Sequence, residues 1–159
     1  MSKKPELSVD EFRDFMKLTS PKKRSGTKKN KAEERLQLKV CNYLKQNYPD
    51  VIFFCDVASG LHLPIWIASL HSKMRSSKGL PDLFIAEPIF GKHEGDESFS
   101  GLFIELKKEG LRLKNGGLPK TEHISEQCVI IQRLRESGYK AEFGVGYDEC
   151  KKLIDDYLK

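Results

Sequence analysis

Between residues 31 and 47 apolar side chains recur at three- and four-residue intervals. Leu36, Val40, Tyr43 and Leu44 then share one helix face. Pro49 and Asp50 end that period, and the run Val51, Ile52, Phe53, Phe54 and Cys55 is rich in β-branched and aromatic residues, which predicts a buried strand. Pro64 suits the first turn of a helix over residues 65–74, in which Trp66 is expected to be buried or held in an oligomer contact. Gly79 breaks the chain before two further apolar runs, residues 82–86 and 101–107. The polar connection over residues 88–100 makes these two runs adjacent antiparallel strands.

Residues 109–121 hold Gly110, Gly116, Gly117 and Pro119 among basic residues and predict a mobile basic loop. Ser125 is placed to cap a helix running to Ser137, with Cys128, Ile131 and Leu134 as its apolar face and Gly138 as its left-handed stop. A fourth strand follows over residues 139–145. Asp148 then caps a last helix bearing Cys150, Leu153, Ile154 and Tyr157. The resulting order, αβαββαβα, is that of a mixed α/β domain, and no internal repeat or heptad interrupts it.

The chain of 159 residues has room for one such domain and a tail. Its apolar runs are far shorter than the roughly 20 residues that cross a bilayer, which excludes a membrane span. The polar start, Met1-Ser2-Lys3-Lys4, lacks the features of a secretory signal, so a cytoplasmic protein is expected, although a basic nuclear address would look like this tail. The four cysteines, Cys41, Cys55, Cys128 and Cys150, stand singly and are expected as buried free thiols, with no zinc spacing.

Charge divides the chain unevenly. Residues 1–31 carry ten basic against four acidic residues, and the rest carries eighteen against nineteen, for a net charge of +5. The basic run from Lys22 to Lys31 includes Pro21, Ser25, Gly26 and Thr27 in or beside it and buries little, so residues 1–30 read as a largely disordered tail that either stays solvated or seeks phosphate. Within it, residues 7–17 have the pattern of a short docking helix. Residues 31–159 form the domain.

The chemistry lies in the two central strands. Asp82 opens one, and Glu105 and Lys107 close the next, so an antiparallel pairing brings all three to one end. Strand alternation places Glu105 and Lys107 on the same face. Charges on a buried strand need partners, and a hard divalent cation, Mg²⁺ or Mn²⁺, suits two carboxylates supplemented by a backbone carbonyl, water and substrate phosphate. With Lys107 beside the attacking water, the group predicts in-line phosphodiester hydrolysis.

The segments Lys78-Gly79-Leu80-Pro81-Asp82-Leu83, Gly101-Leu102-Phe103-Ile104-Glu105-Leu106-Lys107, Ser125-Glu126-Gln127 and Glu33-Glu34-Arg35-Leu36-Gln37 resemble the virus-type replication-repair nuclease (VRR-NUC) family of the PD-(D/E)xK superfamily. That family occurs alone in phages and bacteria and as the catalytic module of the Fanconi-associated nuclease. The resemblance spans about residues 31–159 and implies a restriction-endonuclease-like mixed β-sheet core flanked by helices. It implies that Asp82, Glu105 and the Leu106 carbonyl bind the metal, that Lys107 is the catalytic lysine, and that Gln127 hydrogen-bonds Lys107 or the water. A first-helix carboxylate, Glu33 in preference to the adjacent Glu34, would complete the catalytic set. It further implies a DNA endonuclease, acting on branched DNA such as Holliday junctions and working as a homodimer. Flaps, ends and plain duplex are the alternative substrates, and a silent DNA-binding module is the alternative role.

Lys73, Arg75 and Lys78 before Asp82, and Lys108, Arg112, Lys114 and Lys120 after Lys107, suit phosphate contacts, which position DNA without reading it. His62, His71 and His123 read as solvated loop or helix residues, and Asp56 as a turn residue.

Overall fold

The computed structural model describes residues 28–56, 64–77, 79–91 and 97–159. The expected tail helix over residues 7–17 and His62 lie outside these residues. Helix α1 (Lys28–Asn47) begins within the basic run and carries the predicted apolar stripe, with Leu36, Val40 and Leu44 buried. It leads through a turn into strand β1 (Phe53–Cys55), helix α2 (Ile65–Lys73), strand β2 (Leu83–Ile85) and strand β3 (Leu102–Lys107). Helix α3 (Glu122–Glu136), strand β4 (Lys140–Val145) and helix α4 (Gly146–Leu158) complete the domain. The element order matches the expected αβαββαβα.

The strands form one mixed sheet in the order β1-β2-β3-β4. β1 and β2 pair antiparallel, as do β2 and β3, where Leu83 faces Ile104. β4 runs parallel to β3, with Glu105 opposite Phe143. A parallel neighbour needs a crossover, and α3 supplies it.

The period-two alternation of β2 and β3 separates two faces. Leu83, Ile85, Leu102, Ile104 and Leu106 point to one side and make the core with Leu36, Val40 and Leu44 of α1 and Cys150, Ile154 and Tyr157 of α4. Phe84, Phe103 and Glu105 point to the other. There Phe84 and Phe103 stack at 4.4 Å between ring centroids, Tyr139 meets Phe103 edge-on, and α3 packs over β4.

Several sequence expectations are corrected in detail. The strand of residues 51–55 shortens to three residues and is not buried: β1 is an edge, and Ile52 and Phe54 are exposed. Trp66 is not buried within the chain, being 67% exposed on a helix that buries none of its residues, so of its two expected settings the oligomer contact is the one that stays open. Helix α3 starts earlier than expected, capped by Thr121, whose Oγ1 accepts from the Ile124 N–H at 3.3 Å, while the Ser125 hydroxyl donates back to the Thr121 carbonyl. Its buried face is Ile124, Gln127 and Ile131, and Cys128 is exposed. Of the four free thiols only Cys150 is buried. Helix α4 begins at Gly146 without a side-chain cap, leaving Asp148 in its first turn. Gly138 does stop α3, at φ +84°. Among the described residues no helix is long and apolar enough to cross a membrane.

A polar clamp ties the first and last helices together. The Asp155 carboxylate on α4 accepts from the Tyr43 hydroxyl at 2.5 Å and the Tyr48 hydroxyl at 2.7 Å, and Lys151 and Lys159 lie at 3.0 and 3.2 Å. The two hydroxyls hold the Asp155 carboxyl below the usual carboxylate range, against a desolvation effect of opposite sign. A depressed folded-state pKa contributes stability above the unfolded value that is lost as pH falls through the folded one. Asp155→Asn is therefore expected to cost about 1 kcal/mol near neutral pH, and thermal melts of variant and wild type should converge in acid.

Candidate active site

The antiparallel register carries Asp82, just before β2, to the end of β3. Its Oδ2 accepts a hydrogen bond from the Leu106 backbone N–H at 3.0 Å. Glu105 lies beside it, and both carboxylates are buried, at 7% and 3% exposed. Glu105 Oε1 accepts from Lys107 Nζ at 2.8 Å and from Gln127 Nε2 at 2.5 Å. Glu105 Oε2 is also buried and meets no hydrogen-bond donor among the described residues.

These groups line a cavity of about 600 Å³ together with Glu33, Arg75, Leu106 and Lys108. Glu34, the other first-helix carboxylate, is exposed and lies outside the lining. The predicted catalytic set, Glu33, Asp82, Glu105, Lys107 and Gln127, is thus brought to one cleft. Gln127 differs in detail: its amide meets Glu105 rather than Lys107.

Of the basic residues, Arg75 and Lys108 line this cleft. Arg112 is engaged elsewhere, its Nε donating to Glu149 Oε2 at 2.9 Å and its Nη1 to the Gly116 carbonyl. Lys73, Lys114 and Lys120 stand on exposed surface outside the lining, and Lys78 falls outside the described residues.

Four residues, Gln37, Asp56, His71 and His123, have places at or beside the site that their sequence context did not assign. Gln37 donates towards Asp82 Oδ1 at 3.4 Å and the Asp56 carbonyl at 3.3 Å. Its spacing of four from Glu33 was the available signal, since that interval repeats one helix face. Asp56 is not a simple turn residue: it is buried, its N–H donates to the Asp82 carbonyl at 2.7 Å, and its carboxylate pairs with Arg75. His71 joins the same carboxylate at 3.5 Å rather than standing solvated, and exposed His123 lines the cleft. No one-dimensional pattern separates a buried aspartate from a turn aspartate at a strand end.

Burial, followed by repulsion from Asp82, raises the Glu105 carboxyl to about 7, although Lys107 and Gln127 pull it down. Two carboxylates held this close, one with an unsatisfied buried oxygen, suit a hard cation. Asp82, Glu105 and the Leu106 carbonyl are the groups that would hold it. Among the described residues no three His, Cys, Asp or Glu side chains converge as a cage. That donor set fits Mg²⁺, which keeps waters and takes one or two carboxylates plus substrate phosphate, better than an ion needing an all-protein shell.

The raised Glu105 carboxyl has a stability consequence whose sign is opposite to that of Asp155. The folded state holds the proton more tightly, so stability present below the ordinary value of 4.5 is lost as pH rises to about 7. The full span is worth on the order of 3 kcal/mol. Melting curves without divalent cation should show this fall in the wild type, and Glu105→Gln should remove it.

No protein-family model matches the sequence, and no curated protein matches it. Among solved structures the chain is similar to a VRR_NUC domain protein, with a TM-score of 0.52 and 24% identity over 80% of this chain and 88% of that one. The two share a fold, the restriction-endonuclease-like mixed sheet flanked by helices.

Proposed function

We propose that the protein is a Mg²⁺- or Mn²⁺-dependent nuclease that hydrolyses DNA phosphodiester bonds within branched DNA such as four-way junctions. The observation that carries this reading is the convergence of Asp82, Glu105 and Lys107 at one end of an antiparallel strand pair, with a buried carboxylate oxygen that meets no donor among the described residues. The fold shared with a VRR_NUC domain protein agrees with it.

Asp82 and Glu105 would hold the ion, with the Leu106 carbonyl as a further ligand. An ion held there would supply positive charge against the negative charge that develops on the phosphate and would ease deprotonation of the attacking water. Lys107, whose Nζ rests on Glu105 Oε1, orients the attacking water and adds positive charge beside the reacting phosphorus. Gln127 donates to Glu105 Oε1 and so holds the carboxylate in place. Glu33 brings a third carboxylate from α1 to the cleft wall. Lys108 reaches the same wall, while Lys73, Lys114 and Lys120, exposed outside the lining, would meet more distant phosphates.

A homodimer would offer two such clefts to two strands, which is the arrangement a four-way junction requires for paired cuts. The test is cleavage of a labelled junction, a flap and a linear duplex with Mg²⁺ or Mn²⁺, comparing wild type with Asp82→Asn and Lys107→Ala. Each substitution is expected to reduce cutting by at least about 100-fold, and chelation should abolish it. Cutting of flaps or duplex in preference to junctions would move the substrate assignment. Metal-independent binding without any cutting would replace the enzyme with a silent DNA-binding module.

A further inference from the structure

Beside the candidate active site lies a second charged cluster. Asp56, at the end of β1, is 6% exposed, and a buried carboxylate is costly without a cationic partner. Arg75 supplies that partner, its Nη2 on Asp56 Oδ2, with His71 Nε2 at 3.5 Å from Oδ1. The cluster is coupled to the cleft through the backbone, since the Asp56 N–H donates to the Asp82 carbonyl.

Arg75 also stands on the wall between two cavities. It lines the 600 Å³ cleft with Asp82, Glu105 and Lys107, and it lines an adjoining pocket of about 350 Å³ with His71, Ser72, Ser77 and Gly79. A guanidinium presents five N–H donors in a planar fork, and one carboxylate engages only part of it. Donors therefore remain for a ligand in either cavity. The adjoining pocket adds the hydroxyls of Ser72 and Ser77, which with the guanidinium form a set of donors suited to a phosphate group.

We propose that this pocket is a phosphate subsite, taking the backbone phosphate next to the scissile one on the cut strand, with Arg75 as its charged ligand. The inference rests on the nuclease reading. Phosphates follow one another every ~3.4 Å of helix axis along a strand. A strand whose scissile phosphate lies at the carboxylates thus presents its neighbour to the adjacent wall, and Arg75 is there. Asp56 holds the guanidinium in place before DNA arrives, so less rotamer entropy is lost on binding.

The test is equilibrium binding of a labelled four-way junction in chelator, followed against salt so that no cutting intervenes. Arg75→Gln alone would strand the buried Asp56 charge, so the comparison is made in an Asp56→Asn background. Adding Arg75→Gln there is expected to flatten the slope of log affinity against log salt by about 0.9. Arg75→Lys in the same background should restore it, and Lys152→Gln on the exposed side of α4 should leave the wild-type slope unchanged. Equal slopes with and without Arg75, or a slope that Lys fails to restore, would overturn the subsite while leaving the nuclease reading intact. Displacement of the junction by millimolar inorganic phosphate at constant ionic strength would assign the pocket to free phosphate and also overturn it. A wild type that binds no DNA would overturn both readings, a result distinct from either of the others.

Discussion

Two carboxylates buried side by side impose the constraint around which this fold is organised. Asp82 and Glu105 repel each other where both are largely buried, and each must be held by donors from the chain. Asp82 takes the Leu106 N–H, a contact that exists only in the antiparallel register that sets Leu83 against Ile104. Glu105 takes Lys107 from its own strand and Gln127 from α3. Gly79 turns the chain beside Gln127 at a φ of +79°, a left-handed conformation that favours a residue without a side chain, whereas an added Cβ would meet Gln127 only at an ordinary contact distance of 3.4 Å.

The rest of the architecture follows from the different demands of the two sheet faces. The face of Leu83, Ile104 and Leu106 is wholly apolar and is closed by α1 and α4, which the Tyr43, Tyr48 and Asp155 clamp joins. The opposite face carries the charged groups and is only partly covered, by α3 over β4. Its uncovered part becomes the cleft. Helix α2 borders that region with Ile65, Trp66 and Leu70 exposed, and nine residues are too few for a helix to be stable in water unaided. The ion contacts of His71 and Arg75 with Asp56 tie its end to the sheet.

Most of the candidate site was legible in the sequence because strand alternation and hairpin pairing are short-range rules. Asp82 at the start of one apolar run and Glu105 with Lys107 at the end of the next can meet in one way if the runs pair antiparallel, and they do. Gln127 and Glu33 were named through family resemblance, and both line the cleft. The partner that Gln127 chooses was not legible, since the docking of α3 against β4 brings together residues distant in the chain and follows no local pattern.

The sequence by itself determined the order of elements, the apolar stripes and the juxtaposition at the hairpin end, because each rests on a repeat of two or about 3.6 residues. It left undecided which strand would be the edge, and so whether Phe54 and Trp66 would be covered. It also left open whether Arg75, Arg112 and Asp56 would face solvent or one another. Those outcomes were decided by tertiary structure, for burial and ion pairing depend on residues distant in the chain, such as Asp56 with Arg75 and Arg112 with Glu149, whose meeting no local periodicity encodes.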